Sequence, residues 1–273
     1  MKTIKGVLLA LLAVTCIGTS VVGLSGCSGE TQESSVEQNI ETKVIFDLNG
    51  DGKSYKASGL SEEVIGVLTI PQTYNGLPVT EIDRRAFARY SSLTSVEIPD
   101  SVTWIGSSAF EDCDSLESVV IGSRVTTIGN GAFLNCSSLT SIVIGNSVTT
   151  IGEMAFYNTG YYKDGRNWEN GVLYIGKYLI EANKDTIEES YTIKDGTLYI
   201  GDSAFEACSS LTSIEIPDSV TAIEDQAFFN CLDLMSIRFK GTVESWNAIS
   251  KGGLWKNNVP ATEVVCSDGR VAI

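Results

Sequence analysis

Residues 102–121 read VTWIGSSAFEDCDSLESVVI, and the same pattern returns down the chain. Copies begin at Val79, Val102, Val125 and Val148, each 23 residues after the last, and again at Thr197 and Val220, also 23 apart. A period of this size belongs to a stacked solenoid, in which one coil cannot bury its own apolar edge and relies on its neighbours. The apolar positions recur in columns. Isoleucine stands at 82, 105, 128, 151, 200 and 223, alanine at 86, 109, 132, 155, 204 and 227, and phenylalanine at 87, 110, 133, 156, 205 and 228. Such columns predict identical side chains stacked from coil to coil, at about the 4.8 Å spacing of paired strands.

The end of each copy alternates in twos. Val119 and Ile121 point one way, and Ser118 and Val120 the other, so this stretch predicts a short strand. Successive strands then build a parallel sheet, joined through tight arcs at the Ala-Phe segment. Pro99 and Pro217 follow two of these strands, where a residue without an N–H ends the ladder. The pattern Leu-x-x-Ile-x-Ile-Pro, then Val-x-x-Ile-Gly-x-x-Ala-Phe-x-x-Cys, resembles the BspA-like (treponemal-type) leucine-rich repeat over 79–241. The resemblance implies a leucine-rich-repeat solenoid. This is a curved right-handed coil with a parallel β-sheet on the concave face, short strands and turns on the convex face, and β-rich caps. It further implies an extracellular or surface setting with adhesion or protein binding, and it transfers no catalytic residues.

The start of the chain reads as a targeting signal. Lys2 and Lys5 precede an apolar run from Gly6 to Val22, and Leu24-Ser25-Gly26-Cys27 follows. This resembles a bacterial lipoprotein signal. Residues 1–26 are then the signal peptide, Cys27 is the lipidated residue, and the protein lies lipid-anchored on the extracytoplasmic face of the cell membrane. Residues 27–42 are polar and acidic and read as a flexible tether. The formal charge is −15 and the pI near 4.4, a balance that repels nucleic-acid phosphates. Membrane contact is expected through the lipid only. The chain has no histidine, which removes the usual general base and commonest metal ligand, so no catalytic or metal site and no cofactor is expected.

The rest is organised around the repeat. Residues 43–78 form an N-terminal cap, with a hairpin around Asn49-Gly50-Asp51-Gly52 and a first strand at Val67–Ile70. Residues 242–273 form a C-terminal cap with a short helix carrying Trp246 and a hairpin around Asp268-Gly269. The period fails once. Val148 and Thr197 are 49 residues apart, and 161–186 is read as an insertion that projects as a hairpin or expanded coil.

Four constellations compete for a function. Asp47, Asn49, Asp51 and Gly52 match the start of a calcium loop, but its twelfth position is Ser58, so a plain turn is the better reading. Cys113, Cys136, Cys208 and Cys231 share one station, read as small buried side chains, with a disulfide between adjacent coils as the alternative. Outward strand positions are the leading candidate binding face: Ser95, Glu97, Ser118, Val120, Ser141, Val143, Thr192, Ser213, Glu215 and Arg238. Exposed aromatics of the insertion, Tyr161, Tyr162 and Trp168, are the second candidate, with packing onto the solenoid as the equal alternative. These features predict a monomeric, non-catalytic surface protein that binds an extracellular protein or glycan. The alternatives are an accessory component of a glycan- or cell-wall-degrading system and a structural surface-layer protein. A glycosidase-like pair would need carboxylates at about 5–10 Å. Glu97 and Glu215, four strands apart in this alignment, would be separated by about 19 Å.

Overall fold

A computed structural model describes residues 43–273. The signal segment, Cys27 and the tether lie outside the described residues. The remainder is a solenoid in which each coil contributes one long strand, one short strand and an arc. The long strands Gly66–Thr69, Leu93–Ile98, Ser118–Ile121 and Ser141–Ile144 form one parallel sheet. Ser190–Thr192, Ser213–Ile216, Ser236–Phe239 and Glu263–Val265 form a second, closed by the antiparallel Arg270–Ala272. Register matches the repeat: Ser95, Ser118 and Ser141 pair in turn, as do Glu97, Val120 and Val143. The threonine after each initial valine stitches the coils further. Thr103 and Thr126 Oγ1 donate to the carbonyls of Thr80 and Thr103, 23 residues earlier.

The arcs owe their shape to two left-handed residues per coil. The first set includes Arg85, Ser108, Met154, Ser203 and Gln226, with φ from 54° to 58°. The second includes Arg89, Asp112, Asn135, Asn158, Ala207 and Asn230, with φ from 56° to 66°. Asn and Asp tolerate this region better than other side-chain-bearing residues. They also use the stacking here: Asn135 Nδ2 donates to Asp112 Oδ1 at 2.9 Å, and Asn158 Nδ2 to Asn135 Oδ1 at 2.8 Å. The glycine after the isoleucine column answers a different demand. A Cβ on Gly129 would stand 2.6 Å from the Ser107 backbone nitrogen, so the coils approach too closely for any side chain.

Inside, Phe87, Phe110, Phe133 and Phe156 stack with centroids 5.2, 5.2 and 5.4 Å apart. A second stack, Phe205 on Phe228 at 5.1 Å, is closed by Tyr191 on one side and Trp255 on the other. The cysteine station is buried and carries no disulfide; Cys113, Cys136, Cys208, Cys231 and Cys266 are free thiols. Cys113 Sγ donates to the Phe87 carbonyl and Cys136 Sγ to that of Phe110, at 3.1 and 3.0 Å. Burial pushes the Cys208 and Cys231 thiols up to about 12, which makes them inert at neutral pH.

One sheet was expected where there are two, because the ladder breaks after the fourth copy. Thr159 stands at the cysteine station there. Its hydroxyl donates to the Phe156 carbonyl and accepts from Tyr162 N, which caps the helical turn Gly160–Lys163 and leads the chain out of the coil. The segment read as a projecting insertion divides into two unlike parts. Trp168–Glu169, Val172–Ile175 and Tyr178–Ala182 form an antiparallel meander, and Val172–Ile175 is buried at every residue, so it packs rather than projects. Tyr178–Ala182 then pairs in parallel with Tyr199–Ile200, Leu179 beside Ile200. From Tyr178 onward the chain is therefore already a degenerate coil of the second stack. Tyrosines seal the break: Tyr199 Oη accepts from Ile151 N at 2.7 Å and donates to Ile151 O, and Tyr178 Oη donates to Gly145 O at 2.7 Å.

Val44–Leu48 pairs antiparallel with Tyr55–Leu60, and Thr242 caps the helix Val243–Ala248, which buries Trp246. The candidate calcium loop is the turn of the first hairpin, where Asn49 Nδ2 bonds Ser54 Oγ and Lys53 N bonds Asp51 Oδ1. Because each coil is held by its two neighbours, Phe133→Ala should cost about 3–5 kcal/mol. Chemical unfolding would read this directly, with the loss larger than for an exposed substitution such as Met235→Ala.

Candidate functional site

The outward positions of the long strands form the broad candidate face, and the break divides it into two unlike halves. On the first sheet Glu97, Val120 and Val143 stand side by side, with Val120 46% and Val143 54% exposed. Val67 extends the apolar character of that sheet. The adjacent serines bond along the ladder, Ser118 Oγ donating to Ser95 Oγ at 2.9 Å. On the second sheet Thr192, Glu215 and Arg238 are neighbours, and Ser213 Oγ donates to Ser190 Oγ. Here charge replaces valine. Lys240 Nζ lies 3.5 Å from Glu215 and 2.8 Å from Asp195, and Arg238 lies 3.9 Å from Glu215. Such exposed pairs contribute little stability, since water screens them, but they give the surface a fixed pattern. Glu97 and Glu215 belong to separate sheets, so a count of strands along one ladder does not relate them.

The insertion aromatics are packed within the chain rather than freely exposed. Tyr161, Tyr162 and Trp168 are half-buried, and each polar atom is engaged within the chain. Tyr161 Oη donates to Tyr174 O at 2.9 Å, Tyr162 Oη to Glu181 Oε1 at 2.8 Å, and Trp168 Nε1 to Tyr162 O at 2.7 Å. Tyr162 packs edge-on against Trp168 and tilted against Tyr157. The sequence showed aromatic residues outside the repeat, but exposure depends on what the meander packs against, and that is a tertiary matter.

Tyr162 and Trp168, but not Tyr161, line a cavity of about 780 Å³ that the spacing of the sequence does not reveal. One side is the arc Gly152–Asn158, and the other is formed by Ile180–Asp185 and Gly201–Ala207. The signal available in the sequence was the loss of the cysteine at Thr159 together with the failed period. Burial raises the carboxyls of Glu181 and Asp202 above the ordinary carboxylate range. Their charged forms are disfavoured in the fold, so their contribution to stability is full below the unfolded pKa and lost as pH rises through the folded one. Glu181→Gln with Asp202→Asn should therefore match the native chain near pH 3 and melt at a higher temperature near pH 7 (about the two sides of the carboxylate range). Thermal melts across that interval check the sign.

Among solved structures, the chain is similar to a leucine-rich-repeat protein of T. pallidum at 23% identity, over 77% of this chain and 83% of that one, with a TM-score of 0.44. A leucine-rich-repeat protein of Bacteroides ovatus matches at 22% identity over 83% of this chain and 70% of the other, TM-score 0.44. A leucine-rich cell surface protein of Faecalibacterium prausnitzii matches at 22% identity over 76% and 96%, TM-score 0.31. No curated protein matches. The family model for the BspA type leucine-rich repeat region matches residues 68–187 and 174–250 in six copies. With the repeat, the coil geometry and that match in agreement over more than half its length, the chain belongs to the BspA-type leucine-rich-repeat family.

Proposed function

We propose that this is a lipid-anchored bacterial surface protein that binds an extracellular protein or glycan without catalysis, through the long-strand face of its first sheet. The observation that carries the reading is the exposed valine pair, Val120 and Val143, standing beside Glu97 on a regular, hydrogen-bonded strand face. Apolar side chains held in the open on a rigid sheet lose little entropy when a partner covers them. The neighbouring serines and Glu97 supply a polar rim. Anchoring rests on the run ending in Leu24-Ser25-Gly26-Cys27. It leaves the folded domain at the end of a tether facing away from the cytoplasm.

Two measurements test the two parts. On protein and glycan arrays, Val120→Asp with Val143→Asp should lose at least tenfold in binding to the partners that the native chain retains. Equal binding by the double variant would remove the face from consideration. For the anchor, Cys27→Ala should abolish incorporation of labelled fatty acid and release the protein from membranes. Continued labelling would place the lipid elsewhere.

A further inference from the structure

In an unbroken part of the solenoid, three alternate backbone amides of each arc donate to the next coil. Gly131, Phe133 and Asn135 donate to the carbonyls of Glu153, Ala155 and Tyr157, at 2.9, 2.8 and 3.0 Å. Ser108, Phe110 and Asp112 do the same one coil earlier. At the break the corresponding amides are those of Met154, Phe156 and Asn158, and among the described residues none has an acceptor. Phe156 is 1% exposed, so its N–H is a buried donor, and a buried donor demands a partner. All three residues line the 780 Å³ cavity. The intervening amides, Ala155 and Tyr157, are already bonded to Gly152 O and Met154 O within the arc. The free donors thus form a row at every second residue, facing the space that a further coil would fill.

The occupant can be read from that geometry. Acceptors at every second residue are what an extended polypeptide presents along one edge, and adding such a segment to an open edge is an established mode of peptide recognition. The side chains set the charge. Glu153, Glu181, Asp185, Asp202 and Glu206 line the cavity against Lys163 and Lys184, an excess of carboxylates that complements a basic segment. The chain's own segment 28–42 is acidic and does not fit. We propose that the cleft between the arc Gly152–Asn158 and the wall formed by Ile180–Asp185 and Gly201–Ala207 binds an extended peptide bearing Lys or Arg, which bonds the free amides in place of a further coil. This site is separate from the long-strand face and stands or falls independently of it.

The test uses the full-length chain and an acetylated, amidated hexapeptide alternating Lys and Thr. Its Glu–Thr counterpart and a neutral N-acetylglucosamine hexasaccharide serve as comparison probes. The Lys peptide should slow hydrogen exchange at the amides of Met154, Phe156 and Asn158. Binding should weaken at least tenfold in Glu153→Lys with Glu206→Lys, two exposed positions where a charge reversal does not threaten the fold. Val120→Asp with Val143→Asp should bind the peptide as the native chain does. Unchanged exchange at the three amides under saturating peptide overturns the proposal. So does equal protection by the Glu peptide, or protection by the hexasaccharide alone. Loss of binding in the valine variant would move the contact to the long-strand face and overturn it as well.

Discussion

Everything in this molecule depends on one coil lying directly on the next. The contact is close enough that a Cβ on Gly129 would stand 2.6 Å from the backbone of the coil beneath, and continuous enough that phenylalanine rings stack four deep. Three kinds of bond follow from this closeness: strand ladders, arc amides donating forward, and hydroxyl or amide side chains reaching back one repeat. None involves residues distant in the stack. Stability is therefore a sum of neighbour terms, and a defect at one interface is felt locally.

The break after the fourth copy shows what that dependence implies. A solenoid coil without a successor exposes strand edges, arc amides and the rim of an apolar core. The short-strand edge is satisfied by tyrosine hydroxyls, with Tyr199 bonding both the N–H and the carbonyl of Ile151. The core is closed by Ile175, Tyr178 and Tyr199. The arc amides of Met154, Phe156 and Asn158 have no acceptor among the described residues, and a cleft adjoins them. Edges are normally blocked because they invite another chain. Here the short-strand edge at Ile151 is bonded by Tyr199, while the arc amides beside it have no acceptor among the described residues.

The two candidate surfaces differ in physical character. The long-strand face is flat and regular, with valines in one half and ion pairs in the other. The cleft is concave, acidic and lined by backbone donors. A flat apolar patch selects partners by shape, whereas aligned donors and carboxylates select by backbone direction and charge. A binding protein can carry both, since the solenoid holds each rigidly at no cost to the other.

The sequence alone determined the coil, the strand register and the inward and outward positions of the repeat, because each of these follows from residues within one repeat or its immediate neighbour. The identical spacing of Ser95, Ser118 and Ser141 was enough to place them side by side. It also showed where the pattern failed. It could not show how the failure was resolved. Leu179 entering the isoleucine column ahead of Ile200 has no match in local spacing, and the half-burial of Tyr162 and Trp168 depends on the meander folding back on the arc. The left-handed residues escaped notice for a related reason: Arg85, Ser108 and Met154 share a backbone conformation but no side-chain chemistry. The cleft was decided by tertiary structure entirely, since an unpaired amide is defined by the absence of a neighbour, and only the packed chain shows which neighbours are missing.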